Sequence, residues 1–325
     1  MARHHSRLRG AIITAVVATW LSGPAAQTPS GVQVFPVQGD VSLLVGPDGL
    51  DDLGANITVQ TSDDGLVVVD TGNGEATEQI LAAIRSISTR PIRFVINTRA
   101  AAAHTGGNAG VAGAGRAYGG RAAGDGELML QPGEGAIVIA HEEVSLELSG
   151  VGDSAAVPFA AWPSETYFSD THETFNDEPV QLFHAPAAIT SGDSIVFFRR
   201  SDVISTGDVF STLTYPQIDV AAGGTIDGVI AALNHIVDLA VPREKQEGGT
   251  YIIPGHGRVA DEADVVEYRD MLVIIRDRVR DLMNRSQSLV EIQAAGVSFD
   301  YDRRYSTPEW TDEQFVEAVF RSCCS

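Results

Sequence analysis

Cysteine is almost missing from this sequence: only Cys323 and Cys324 occur, side by side at the C-terminal end. Neighbouring cysteines rarely bridge each other, so no disulfide framework holds the chain, and a cysteine-ligated zinc site is excluded from its body. Basic side chains are scarce too, 22 Lys and Arg against 43 Asp and Glu, a formal net charge of −21. Phosphate backbones are gripped by clustered Lys and Arg, so this acidic balance predicts no nucleic-acid partner. Several catalytic signatures are also lacking. Without a Gly-x-Ser-x-Gly elbow a serine hydrolase has no evident nucleophile. None of the Gly-x-Gly pairs continues into Gly-x-Gly-x-x-Gly and there is no Walker loop, so the dinucleotide-binding and P-loop classes drop out.

A long hydrophobic run is missing as well. The longest candidate, "AIITAVVATWL" from Ala11 to Leu21, is too short to span a bilayer comfortably. It follows Arg3, Arg7 and Arg9 and precedes the small residues of "SGPAAQ", the layout of a signal peptide cleaved near Ala25 or Ala26. Residues 1–26 are therefore read as a targeting segment. The mature protein is expected to be exported, periplasmic or extracellular in a bacterium, with no stable membrane anchor after cleavage.

What is present is a layered pattern. The 325 residues are 44% hydrophobic, enough for one large core or two modest ones. "GVQVFPVQGDVSLLVG", "NITVQTS" and "GLVVVDTG" read as strands with turns at Gly, Asp and Asn. "EATEQILAAIRSIS" places Ile80, Leu81, Ile84 and Ile87 on one helical face. "PIRFVINT" is a buried strand, and the Gly- and Ala-rich stretch from Gly106 to Gly135 reads as a helix start followed by a long loop. "AIVIAHEEVSLELS" returns to a strand and a short helix. After a loop with Pro158 and Pro163 come the strands "PVQLFHA", "DSIVFFRR" and "SDVISTGD", the helix "TIDGVIAALNHIVDLA", the strand "GGTYIIPGHG" and a long amphipathic helix over "EADVVEYRDMLVIIRDRVRDLMNRS". A last helix in "TPEWTDEQFVEAVFRS" starts at a Thr or Asp cap. This order predicts an α/β protein with two sheets packed together and helices on both outer faces, spanning residues 27–285, followed by a helical extension over 286–325.

Four polar residues recur where an apolar strand gives way to a glycine-containing turn: Asp70 in "VVVDTG", His104 in "HTGGN", Asp208 in "STGD" and His256 in "IIPGHG". A single His or Asp in a turn is more often structural than functional. Four at equivalent strand ends point instead to convergence on one site.

In order and spacing these segments resemble the metallo-β-lactamase superfamily: "VVVDTG" at 67–72, "INT" at 96–98, "HTGGN" at 104–108, "TSGD" at 190–193, "STGDVF" at 205–210 and "IIPGHG" at 252–257. "RRSDVISTGDVF" and "EGGTYIIPGHGRVADEADVVEYRDM" are similar to a secreted bacterial branch of it. The resemblance implies a four-layer αββα sandwich and a metal-dependent hydrolase. It also implies departures. Arg99, Ala101 and Ile189 stand where the family places the three histidines of its first zinc, and Ala103 stands where it places an aspartate of the second. His104, Asp208 and His256 match the remaining ligands of the second metal. Two imidazoles and one carboxylate suit Zn²⁺, Fe²⁺ or Mn²⁺ with positions left open, so at most one metal is expected, and a dinuclear zinc centre is not.

On this reading Asp208 is both ligand and catalytic residue, and Asp70 is a structural hydrogen-bonder beneath the site. Asp193 is a turn residue, and His141 and His184 are structural. Arg99, a permanent cation suited to a carboxylate, takes the vacated first-metal position, and Arg258 beside His256 is expected to meet an anion. Two functions follow. One is an exported hydrolase acting on small molecules of ester, lactam or lactone type with a single metal. The alternative is a non-catalytic relative whose pocket binds an anionic ligand or a protein partner.

Overall fold

A computed structural model describes residues 31–46, 53–117, 135–150, 157–245 and 248–323. The targeting segment read over 1–26, most of the Gly-rich stretch and Cys324 lie outside the described residues. Residues from Gly31 onward form one compact unit.

Two sheets make the centre of the molecule. The first has seven strands in sequential order: β1 (Gln33–Gln38), β2 (Val41–Val45), β3 (Ile57–Thr61), β4 (Leu66–Val69), β5 (Ile92–Ile96), β6 (Ile137–His141) and β7 (Glu165–Tyr167). Its first four strands are antiparallel neighbours, and β4 to β7 run parallel. The second sheet has five strands: β8 (Thr171–Phe175), β9 (Pro179–Ala185), β10 (Asp193–Phe198), β11 (Val203–Ser205) and β12 (Tyr251–Ile253). All its pairings are antiparallel except β11 with β12.

Side-chain alternation along the strands sorts these residues into layers. In β4, Val67 and Val69 face the second sheet together with Phe94 and Ile96 of β5, while Leu66 and Val68 face the other way. In β10, Val196 and Phe198 enter the same inter-sheet core, while Ile195 and Phe197 point outward. Both outward faces are apolar, so both need cover. Helices α1 (Thr77–Ile87), α2 (Ala102–Thr105), α3 (Asn108–Gly113) and α4 (Glu142–Leu148) follow strands of the first sheet. Ile80, Leu81 and Ile84 of α1 and Val111 of α3 cover its outer face. Ile87, expected on the same stripe, is half-buried at the end of that cluster.

The second sheet is covered by α5 (Ile226–Leu239) and α6 (Glu262–Asn284), followed by α7 (Leu289–Ala294), α8 (Phe299–Tyr305) and α9 (Asp312–Ser322). Buried Val265, Tyr268, Leu272, Ile275 and Val279 recur along α6 at helical spacing. Each such side chain contributes about 1.5–3 kcal/mol of burial. α9 is capped by Thr311, whose hydroxyl accepts the Gln314 N–H. Its Phe315, Val316 and Val319 join the core of α5 and α6, so the C-terminal helices are packed into the same outer layer. The result is the expected helix–sheet–sheet–helix sandwich. Strands β7 and β8 fall where the sequence predicts loop: they are short edge strands, and the β8 sequence "THETF" has no apolar face to give it away. Among the described residues no helix is long and apolar enough to cross a membrane.

The two histidines expected to be structural, His141 at the end of β6 and His184 on β9, have partners. His141 Nδ1 caps α4 by accepting the Glu143 N–H at 3.4 Å. Its ring stacks on His184 with centroids 3.6 Å apart. Burial, with His184 alongside, pushes the His141 pKa down to about 4. The folded state thus favours neutral His141, and its contribution is full above the unfolded pKa near 6.5 and is lost as pH falls toward about 4. The stability advantage of the wild type over His141→Gln is accordingly expected to be largest above pH 6.5 and to shrink on acidification. Calorimetric melts of both proteins across that range check it.

Candidate metal centre

All four strand-end residues lie beyond the C-terminal ends of parallel pairs, Asp70 after β4, His104 after β5, Asp208 after β11 and His256 after β12. Loops at that rim of both sheets converge, and the structure brings three of the four ligand-type side chains together. His104, Asp208 and His256 each offer one atom within 4.8 Å of the others, and they form the one such group among the described residues.

His104 is fully buried and is set from below. Its Nδ1 lies 2.8 Å from Asp70 Oδ2. Asp70 in turn accepts the Thr98 N–H at 2.8 Å and the Thr98 hydroxyl at 2.7 Å. Asp70 takes a φ of +61° to reach both; that backbone region is sparsely used outside glycine and is tolerated best by Asn and Asp. A carboxylate on Nδ1 makes that nitrogen the donor and leaves the Nε2 lone pair for the site, the arrangement that orients metal-binding imidazoles. Nε2 faces Asp208 Oδ2 at 3.1 Å, and His256 Nε2 faces Asp208 Oδ1 at 3.1 Å.

Charge explains the protonation pattern without a metal. Burial disfavours a charged His104, but Asp208 and Asp70 on either side outweigh it and hold its pKa up, to about 10. Burial would raise the Asp208 carboxyl, yet His104, His256 and Arg99 together hold it well below the usual carboxylate range. Arg99 donates from a terminal nitrogen to Asp208 Oδ2 at 2.7 Å, with both side chains largely buried.

The residues fit a single metal ion. Both His104 Nε2 and Asp208 Oδ1 are buried, and each meets only the 3.1 Å charge contact just described, not a well-aligned hydrogen bond. Polar atoms so poorly satisfied are costly in a folded protein unless something is meant to meet them. The donor set suits a borderline divalent cation. Ile189, by contrast, lies fully buried in the outer helical core and presents only carbon.

Two glycines and an asparagine position these loops. A Cβ on Gly107 would sit 2.3 Å from Thr71 O, so the turn after His104 closes only around glycine. A Cβ on Gly255 would sit 2.5 Å from Asp208 Oδ1. Gly255→Ala is therefore expected to push the carboxylate aside and weaken zinc binding about 10–100-fold, read by competition with a chromophoric chelator; an unchanged affinity would refute it. Buried Asn56 donates to Pro254 O and Gly257 O at 2.9 Å each, clamping both sides of His256. Sequence reasoning missed Asn56 and Thr98 because neither carries chemistry of its own.

The other expectations place as follows. Asp193 is buried and ties the Thr190 turn through its N–H and hydroxyl, away from the metal group; burial, opposed by Arg99, pushes its pKa up to about 6. Arg258, expected to meet an anion, instead grips Asp264 at the start of α6 with two contacts of 2.9 and 2.6 Å and does not line the pocket. It sits two residues past His256 but follows the turn at Gly257 outward. The pocket over the centre is about 740 Å³ and is lined by Arg99, Ala101, Ala103, Asp208 and His256 together with Ile218, Val220, Trp310 and Ala318 among others. Its wall therefore includes α9, which no local motif marked.

With this geometry in place, comparison with known proteins is direct. The sequence model of the metallo-beta-lactamase superfamily matches residues 50–272, and the chain belongs to that superfamily. Comparison with curated proteins found no match. Among solved structures, the stereoselective inverting sec-alkylsulfatase Pisa1 from Pseudomonas sp. superposes with a TM-score of 0.62 at 15% identity, covering 89% of this chain and 50% of its own. This chain thus spans about half the length of that enzyme. A metallo-beta-lactamase from Pontibacter korlensis superposes with a TM-score of 0.52 at 15% identity over 74% of this chain and 98% of its own. The structure of TMB-1 gives 0.52 at 14% identity, with 74% of this chain and 97% of its own covered. These likenesses are of fold. The family match ends at residue 272, inside α6, so the wall contributed by α9 lies beyond it.

Proposed function

We propose that this protein is an exported, single-metal hydrolase of small molecules, acting on ester, lactam or lactone-type bonds, with His104, Asp208 and His256 holding the ion. The observation that carries this reading is the group formed by His104, Asp208 and His256, whose ligand atoms lie within 4.8 Å of one another and in which buried His104 Nε2 and Asp208 Oδ1 lack a well-aligned hydrogen bond. A divalent metal bound there supplies water activation near neutral pH. The chain's own residues do the rest. Asp70 keeps the His104 lone pair aimed inward, Asn56 holds His256 in place, and Arg99 offers its positive charge where the family's first zinc would stand. The site is degraded with respect to its family in that Arg99, Ala101 and Ile189 replace a complete set of histidine ligands. The N-terminal signal pattern supports export.

One observation favours a second reading, a metal-free pseudoenzyme: the 2.7 Å Arg99–Asp208 ion pair already matches the carboxylate's charge. Metal analysis of the purified mature protein after exposure to zinc, iron and manganese separates the two. About one ion per chain, lost in His256→Ala, is expected. Two tightly bound zinc ions, or none above background, would overturn the single-metal hydrolase.

A further inference from the structure

Arg99 is nine-tenths buried, lines the pocket, and is only partly used. One terminal nitrogen bonds Asp208, while its Nε–H is buried and has no partner. A guanidinium has five donors, and one left without an acceptor in a concave site is satisfied by an anionic or strongly polar group of a ligand. The same pocket is lined by apolar Ile218 and Val220 from the segment before α5 and by Trp310 and Ala318 from the C-terminal helical segment, interspersed with polar Gln217, Asp219, Gln314, Glu317 and Arg321. Trp310 Nε1 is a second buried donor without a partner at that wall.

The other charges near the pocket are already engaged. Glu317 is bound by Arg321, with the Nε contact at 2.8 Å, and Asp219 accepts the Ala222 N–H at 3.0 Å at the rim. The lining holds two arginines against three carboxylates, so a divalent ion at the ligand group reverses its sign to positive. An anion is then drawn to Arg99, and its apolar body lies along Trp310 and Ala318.

We propose that Arg99 and the α9 wall together form the seat of a small amphiphilic anion, the guanidinium taking the charged group and Trp310 with Ala318 taking the apolar body. This deepens the hydrolase reading by naming the substrate class, and it makes residues outside the family match determinants of specificity. A carboxylate and a sulfate present the same charge and acceptor geometry class to Arg99, so the two are alternatives within one seat.

The test uses the mature protein carrying Trp162→Phe, in which Trp310 is the one tryptophan left beyond the signal segment. Emission is titrated with hexanoate, hexyl sulfate and hexanol, with and without one equivalent of zinc. Saturable binding of at least one of the two anions, at least tenfold tighter than hexanol, is expected, and the tighter anion identifies the preferred headgroup. Arg99→Met should remove that preference. In calorimetry, Trp310→Ala should weaken hexanoate but leave acetate unchanged. Hexanol binding as tightly as both anions, in both metal states, would overturn the proposal, and so would anion binding unaffected by Arg99→Met. Should Arg99→Met fail to fold, the anion-against-alcohol comparison in protein with native Arg99 decides alone. Metal content is measured on the same samples. Bound zinc without anion preference sinks the seat alone, whereas anion preference without bound metal sinks the single-metal reading alone.

Discussion

Replacing His104 with alanine is expected to lower the melting temperature by on the order of 10 °C as well as to abolish metal binding. The imidazole is fully buried between Asp70 and Asp208, 2.8 Å from one and 3.1 Å from the other. Without it, Asp70 keeps only its two Thr98 donors and a cavity opens beneath the site. Breaking a buried charged pair by removing one partner costs roughly 3–5 kcal/mol, and about 2–4 °C accompanies each kcal/mol in a domain of this size class. His256→Ala supplies the contrast. Its side chain is 22% exposed at the pocket edge, so metal is lost while the metal-free protein melts within a few degrees of wild type. Calorimetry with metal titration on both variants checks this. Equal destabilisation by the two substitutions would show that His104 is not the buried keystone described.

Arg99→Met is expected to produce the second large effect, a protein that depends on metal for stability. In the metal-free state the guanidinium is the nearest permanent counter-charge to Asp208, at 2.7 Å. Its removal leaves a largely buried carboxylate facing only His104 and His256, again a loss of roughly 3–5 kcal/mol. It also removes a cation that repels an incoming divalent ion across a low-dielectric gap. Zinc at a hundredfold excess over its dissociation constant contributes about 2.7 kcal/mol to the folded state. The zinc-induced rise in melting temperature should therefore be larger in Arg99→Met than in wild type. A rise no larger than that of wild type would mean that Arg99 neither substitutes for a cation nor competes with one.

Much of the scaffold was legible because it rests on periodicity. Val67 and Val69 against Leu66 and Val68, or the Val265–Val279 stripe of α6, announce which face is buried before any coordinates exist. Strands β7 and β8 escaped because edge strands with mixed polarity carry no such signal. The strand-end residues were legible by the same logic, since Asp70, His104, Asp208 and His256 each break an apolar run at a glycine turn. Arg258 misled because adjacency along the chain says nothing about direction after a turn: Gly257, at a φ of +104°, sends the backbone outward, and Asp264 waits there as a partner.

By itself the sequence determined the layer order, the family frame and the set of residues available for chemistry, because hydrophobic period and turn chemistry are local properties. Tertiary structure decided the rest. Only packing placed Asn56 against the residues flanking His256, nearly two hundred positions away. Only packing brought Arg99 onto Asp208 and laid Trp310 and Ala318 of the C-terminal segment across the pocket. Such contacts depend on distances between elements remote in the chain, and electrostatic pairing and pocket shape arise only when those distances close.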